Sequence, residues 1–288
     1  MSERVIVAVD GGPASRSAID WVIDRARTQP IDLQLVAVED IGWLPVGAPT
    51  ETYSAAYRGA LEVAVKRVEA ADVAISVATT MLRGDAAQEL ARVSGLADLL
   101  VVGSNRTSGL TGVMYGTLAL RLAAHSRCPV AVIPADWRRE RGMVVAASSA
   151  DDTDLAALDY AAAEAGRANS LLLVVHAWSI PTPVSIGEFI SDSAYDALKH
   201  DQSTALAGVA QRLRAKFPNL TIKTHLAVAP AAHAVVEAAG EAELIVIGSR
   251  GRGAIRGLIL GSVSHDVVLH AGCPVVVIPA HGDQPAAE

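Results

Sequence analysis

Aromatic residues make up only 4% of this chain, and it holds two cysteines in 288 residues. The two thiols, Cys128 and Cys273, contain no CxxC pair, which excludes a disulfide framework and fits a reducing compartment. No cluster of His, Cys and carboxylates has metal-ligand spacing. Long apolar runs are lacking too: none reaches the roughly 18 residues of a membrane span. Met1-Ser2-Glu3-Arg4 passes straight into Val5-Ile6-Val7-Ala8-Val9 without the apolar core of a signal peptide, so a cytoplasmic location is expected. A basic excess is also missing. Net charge is −7, with −2 over residues 1–140 and −5 over residues 141–288, which argues against a nucleic-acid partner.

The apolar fraction is 51% and the charged fraction 19%, enough to bury substantial cores. Its weight lies in Ala, Val, Leu and Ile, as in parallel strands covered on both faces. The chain repeats itself. Ala97-Asp98-Leu99-Leu100-Val101-Val102-Gly103-Ser104 matches Ala242-Glu243-Leu244-Ile245-Val246-Ile247-Gly248-Ser249 at an offset of 145. At the same offset Gly112 meets Gly257, Gly116 meets Gly261, His125 meets His270, and the run from Cys128 to Pro134 meets that from Cys273 to Pro279. Near the starts of the copies the offset is 139, where Asp20-Trp21 meets Asp159-Tyr160. A period this long means two whole domains rather than solenoid units. They are expected to span residues 1–140 and 141–288, divided in the polar stretch 136–142.

In the first copy, residues 5–9, 33–38, 73–79, 99–102 and 130–133 read as strands. Residues 14–27, 53–71, 86–94 and 116–125 read as helices, the third opened by Asp85 as N-cap. Five strands alternating with helices predict an α/β fold: two tandem Rossmann-like domains, each a five-stranded, parallel, doubly wound sheet. Ligands of such sheets bind beyond the carboxyl ends of the strands, where strand order reverses. That directs attention to the ends of the first and fourth strands.

After the fourth strand of the second copy runs a loop with Gly248, Gly251, Gly253, Gly257 and Gly261, followed by Ser262-Val263-Ser264 at a helix start. Glycines let backbone N–H groups approach an anion, and the helix N-terminus adds a positive dipole end. The hydroxyls of Ser262 and Ser264 add donors, and Arg250, Arg252 and Arg256 make the loop cationic in an acidic domain. Read plainly, this is a glycine-rich connection with solvated arginines. Its place after the fourth strand favours a phosphate cradle.

The spacing Gly248-x2-Gly251-x9-Gly261-Ser262 resembles the ATP-binding signature of the universal stress protein family. The ending from His270 to Pro279 and the opening from Val9 to Ser15, through Ala18 and Trp21, are similar to that family as well. The resemblance covers both copies. It implies a Rossmann-like fold, an adenine nucleotide held by some members with ATP foremost and Mg as its companion, and domains paired through their last strands. It also gives Asp10 a contact with the nucleoside. Neither copy matches fully. In the first, the loop begins Gly103-Ser104-Asn105-Arg106 and closes on Gly116-Thr117, so Arg106 stands where the second glycine belongs. In the second, Ser149 stands at the place of Asp10. The expected binding residues are therefore Gly248, Gly251, Gly261, Ser262, Val263 and Ser264 in the second copy, and Asp10, Gly103, Gly116 and Thr117 in the first. Asp151 or Asp152 offers a replacement for Ser149, and Arg106 a direct partner for phosphate.

No catalytic residue is expected. The loop lacks the Gly-Lys-Ser/Thr ending of a Walker A site, and no general base or metal set is evident. The expected function is a nucleotide-responsive stress or regulatory protein. Two alternatives stand beside it: an interaction module that has lost nucleotide binding, and a slow nucleotide hydrolase. Cys128 and Cys273 read as small buried hydrophobes rather than redox groups. His125 and His270 read as helix-end partners. His176 follows an apolar strand and reads as a loop histidine or a ligand contact. Residues 41–52 and 180–187 read as surface loops or as covers over the nucleotide. The last strands, 130–133 and 275–278, are expected at a domain–domain interface, within the chain or between chains, and a homodimer through them is expected.

Overall fold

The structure, a computed structural model, describes residues 2–40, 50–105, 117–140, 142–179, 191–249 and 260–280. The first half contributes β1 (Glu3–Ala8), α1 (Pro13–Arg25), β2 (Ile31–Glu39), α2 (Thr50–Glu69), β3 (Ile75–Arg83), α3 (Ala86–Val93), β4 (Leu99–Ser104), α4 (Thr117–His125) and β5 (Val130–Pro134). The second contributes β6 (Met143–Ser148), α5 (Leu155–Ala168), β7 (Leu172–Trp178), α6 (Asp192–Lys216), β8 (Ile222–Val228), α7 (Ala231–Ala238), β9 (Ala242–Gly248), α8 (Ser262–His270) and β10 (Val275–Ile278).

Strand order is β3-β2-β1-β4-β5-β10-β9-β6-β7-β8. Within each half every pairing is parallel. The β-runs alternate their side chains between two cores. Val5 and Val7 enter one with α1, α2, α5 and α6, while Ile6 enters the other with α3, α4, α7 and α8. Such strands are apolar on both faces, which is why they read as continuous Val/Ile/Leu runs. Local chemistry sets the helix ends. Pro13 opens α1, and the Asp85 carboxylate accepts from the Gln88 N–H at 2.9 Å to cap α3. Asn169 closes α5 in the left-handed conformation at φ 53°.

The two five-stranded sheets are not separate. β5 and β10 pair antiparallel and join them into one ten-stranded sheet. Ala131 lies opposite Val276, its own match at the offset of 145, with Val130 opposite Val277 and Val132 opposite Val275. That register places a pseudo-twofold axis at the Ala131–Val276 pair. The last strands therefore lie at the domain–domain interface, as expected, and the pairing is within the chain. β5 lies between β4 and β10, and β10 between β5 and β9, so neither has an edge left for another chain. The antiparallel join also turns the carboxyl ends of the two half-sheets toward opposite rims. No described helix is long and apolar enough to cross a membrane.

Candidate functional site

Strand order reverses between β1 and β4 in the first half and between β6 and β9 in the second. The candidate residues that follow these strands are therefore brought to the switch points.

In the second half the two ends of the glycine loop are tied together. The Gly261 N–H donates to the Ser249 carbonyl at 2.8 Å, and the Ser249 N–H donates to the Ile278 carbonyl at 2.7 Å. The buried Ser249 hydroxyl accepts from the Ala280 N–H at 3.0 Å. Gly261 is the N-cap of α8, and no side chain caps that end. The first bond of the helix runs from the His265 N–H to the Gly261 carbonyl. The N–H groups of Ser262, Val263 and Ser264 thus have no acceptor among the described residues, as expected of a helix start. Ser262 is exposed and Val263 half-buried. Ser264 is different. It is buried, and its hydroxyl donates to the Gly248 carbonyl at 2.8 Å. That commits its one proton, so the expectation of a ligand-facing Ser264 hydroxyl is corrected. Only its backbone N–H is left for an anion.

In the first half Asp10 stands exposed after β1. Its Oδ1 accepts from the Gly12 N–H at 2.7 Å, closing a turn in which Gly11 takes φ 79°. Gly103 has a packing reason to be glycine. A Cβ there would lie 2.2 Å from the carbonyl carbon of Ala14, in the first turn of α1. The backbone of Thr117 opens α4. Gly116 and Arg106, and in the second half Gly251 with Arg250, Arg252 and Arg256, lie outside the described residues, as do Gly112, Gly253 and Gly257. So do residues 180–187. Of the segment 41–52 only its last three residues are described, as the start of α2.

At Ser149, the match of Asp10, the turn is filled by its own side chains. The Ser149 N–H donates to Asp154 Oδ2 at 2.5 Å. Its hydroxyl lies 2.9 Å from Asp151 Oδ1, 3.0 Å from Asp154 Oδ2 and 3.1 Å from the Thr153 hydroxyl. Asp152 instead pairs outward with Arg212, and Asp151 also caps the Thr153 N–H. The carboxylate that occupies this turn is therefore largely Asp154, which sequence reasoning missed. Its signal was available, because Asp154 matches Ser15 at the offset of 139. Burial pushes the Asp154 carboxyl up, against the lowering by the Ser149 hydrogen bonds.

The remaining candidates have structural partners. His176 lies within β7, not after it, and is buried. Its Nδ1 is 2.8 Å from the Ser148 carbonyl and its Nε2 2.8 Å from Gln202 Oε1, so it links the end of β6 to α6. His125 and His270 end α4 and α8, each with Nδ1 against the carbonyl four residues back, at 2.8 and 2.7 Å. Cys128 is buried, and burial pushes its thiol up to about 12, away from redox reactivity. Cys273 is half-buried. Among the described residues no cluster of three or more His, Cys, Asp or Glu is placed to hold a metal.

A family model described as the Universal stress protein family matches residues 1–134 and again 141–279. A universal stress protein of Mycobacterium bovis is 27% identical over 301 residues, covering 95% of this chain and 94% of its own. One from Mycobacterium tuberculosis is 29% identical over 290 residues, with 95% of each chain covered. In fold, the chain is similar to the crystal structure of a universal stress protein from Archaeoglobus fulgidus. The TM-score is 0.72 at 18% identity, over 97% of this chain and 99% of that one.

Proposed function

The chain belongs to the universal stress protein family, and from that premise we propose that it is a regulatory protein that binds an adenine nucleotide, ATP foremost, with its phosphates at the start of α8. The observation that carries this reading is the set of three N–H groups on Ser262, Val263 and Ser264. They have no acceptor among the described residues, and they stand at the switch point where Ser249 and Gly261 pinch the glycine loop shut. A phosphate there replaces three water contacts with aimed donors and gains the positive end of the helix dipole. The hydroxyl of Ser262 adds a fourth donor.

The first half offers the complementary part. Asp10 is exposed, with Oδ1 on the Gly12 N–H and Oδ2 taking no hydrogen bond from the described residues. That suits a ribose hydroxyl. The two candidate sites lie at opposite rims of the sheet, so one nucleotide cannot use Asp10 and the start of α8 together. The second half keeps Gly251 and is the stronger phosphate site. Arg106 replaces that glycine in the first half and makes it the weaker one. The role proposed for both sites is binding.

A second reading is favoured by one observation: the N–H and hydroxyl of Ser149 already have partners in Asp151, Thr153 and Asp154. On that reading the second half is an interaction module. Calorimetric titration with ATP, ADP, AMP and cyclic AMP separates the two. Binding to the parent that is weakened by Gly251→Arg supports the nucleotide reading and its ranking of the halves. Loss of binding in Arg106→Gly with none in Gly251→Arg reverses the ranking. No binding of any of the four nucleotides leaves the interaction module.

A further inference from the structure

The two halves meet at the pseudo-twofold axis, where a residue faces its own match. On the sheet that residue is Ala131, opposite Val276. On the helices it is Arg25 of α1, facing Glu164 of α5, its match at the offset of 139. The guanidinium donates to Glu164 through Nη1 at 2.6 Å and Nη2 at 2.7 Å. Both residues are buried, at 4% exposure each. One turn on, the matched pair Thr28 and Arg167 also meet, the Arg167 guanidinium donating to the Thr28 hydroxyl at 2.8 Å.

Each axial charge also has a partner within its own half. Glu3 accepts from Arg25 at 2.7 and 2.8 Å, and Trp21 lies under the guanidinium at 5.5 Å. Arg167 donates to Glu164 at 2.7 Å. Burial works against the charge on Arg25, and the carboxylates of Glu164 and Glu3 outweigh it and raise its pKa. For Glu164, burial is outweighed by Arg25 and Arg167, so its carboxyl stays below the usual range.

We propose that this face is a recognition surface for unlike halves only: an opened half accepts the opposite half, of its own chain or of a second copy, and refuses a copy of itself. The strand ladder cannot make that choice. Val130, Ala131 and Val132 face Val275, Val276 and Val277, and either run would pair with itself as readily. The helix pair makes it. Two first halves would bring Arg25 against Arg25, with only the Glu3 of each half to offset it, and two second halves would bring Glu164 against Glu164, with only the Arg167 of each half. Like charges meeting in a dry interface are strongly disfavoured, and that difference is what specificity consists of. The proposal does not depend on nucleotide binding.

Two full-length variants test it. Arg25→Glu leaves two glutamates at the axis, and Glu164→Arg leaves two arginines. Each alone is expected to lose on the order of 10 °C in Tm relative to the parent. Unfolded together and refolded as an equal mixture, the two chains satisfy both axes only by exchanging halves. The expected product is a species of twice the chain mass by light scattering, with most of the lost Tm recovered. If neither variant folds alone, the mixture still decides, because a folded dimer appears only if unlike charges select the partner. Unchanged Tm in the single variants overturns the proposal. So does a folded dimer of either variant alone, or a mixture that yields no dimer.

Discussion

Gly103 lies so close to the start of α1 that a Cβ on it would stand 2.2 Å from the carbonyl carbon of Ala14 and 2.3 Å from its oxygen. Both are backbone atoms of a helix whose inner face is buried, so neither moves cheaply. Gly103→Ala is expected to cost about 2–3 kcal/mol as overpacking, a fall of roughly 4–12 °C in Tm. Thermal melting checks it. An unchanged Tm would mean that the glycine is there for a ligand rather than for the helix.

The buried Glu164 predicts a particular acid response. Burial alone would raise its pKa, but Arg25 and Arg167 hold it below the ordinary glutamate value of 4.5. A carboxylate lowered in the folded state stabilises above its unfolded pKa, and that contribution is lost as pH falls through the folded one. The loss should begin near pH 4.5 and grow below it. Glu164→Gln should cost about 3 kcal/mol at pH 7, by leaving Arg25 without its charge partner. It should also flatten the fall in stability below that pH. Urea melts of parent and variant at pH 7, 5 and 3.5 give the comparison, and parallel pH profiles would deny Glu164 its role.

How much of this was legible follows from how local each cause is. Runs such as Val5-Ile6-Val7 and Leu99-Leu100-Val101-Val102 are strands because their own residues suit burial on both faces, and they were readable within a few residues. β3 was expected to stop at residue 79 but continues to Arg83, since pairing with β2 extends to Glu39 and Arg83. Asp85 was readable as a cap because its target, the Gln88 N–H, is three residues away. Gly103 was read as a ligand residue, because sequence shows that a Cβ is missing and not what would collide with it. Ser264 was read as facing the ligand like Ser262, although two residues along a helix turn a side chain most of the way to the other face. The contact between Arg25 and Glu164 depends on how the halves meet, and no local pattern carries it. Its trace was the opposite charge at two matched positions, visible once the offset of 139 is applied to α1.

Tyr160, the match of Trp21, has a hydroxyl shut off from solvent with no hydrogen-bond partner among the described residues. Burial first, and then Glu164, pushes its phenol up, so it stays neutral at any ordinary pH. A buried hydroxyl without a partner costs about 1–3 kcal/mol. Tyr160→Phe removes that cost and leaves a void of one oxygen. The expected result is a gain of about 1 kcal/mol, or a rise of roughly 2–4 °C in Tm. A clear fall in Tm would show that the hydroxyl has a partner in solution, such as a bound water.

Ser262 and Ser264 sit two residues apart at the start of α8 and should fail in different ways. Ser264 is buried with its hydroxyl on the Gly248 carbonyl, while Ser262 is exposed at the first turn. Ser264→Ala therefore removes an internal hydrogen bond at a cost of about 1 kcal/mol, and Tm should fall by roughly 2–4 °C. Its backbone N–H is untouched, so nucleotide affinity should hold. Ser262→Ala removes nothing internal among the described residues, and Tm without nucleotide should not move. If a phosphate sits at this helix start, the variant loses one hydrogen bond to a charged group, and affinity for ATP should drop about tenfold or more. Melting curves and calorimetric titration on the two variants give four numbers. The proposed site requires that stability follow Ser264 and affinity follow Ser262. Both effects falling on Ser264 would place the ligand on the inner side of the helix. Affinity indifferent to both would move the phosphates away from α8 altogether.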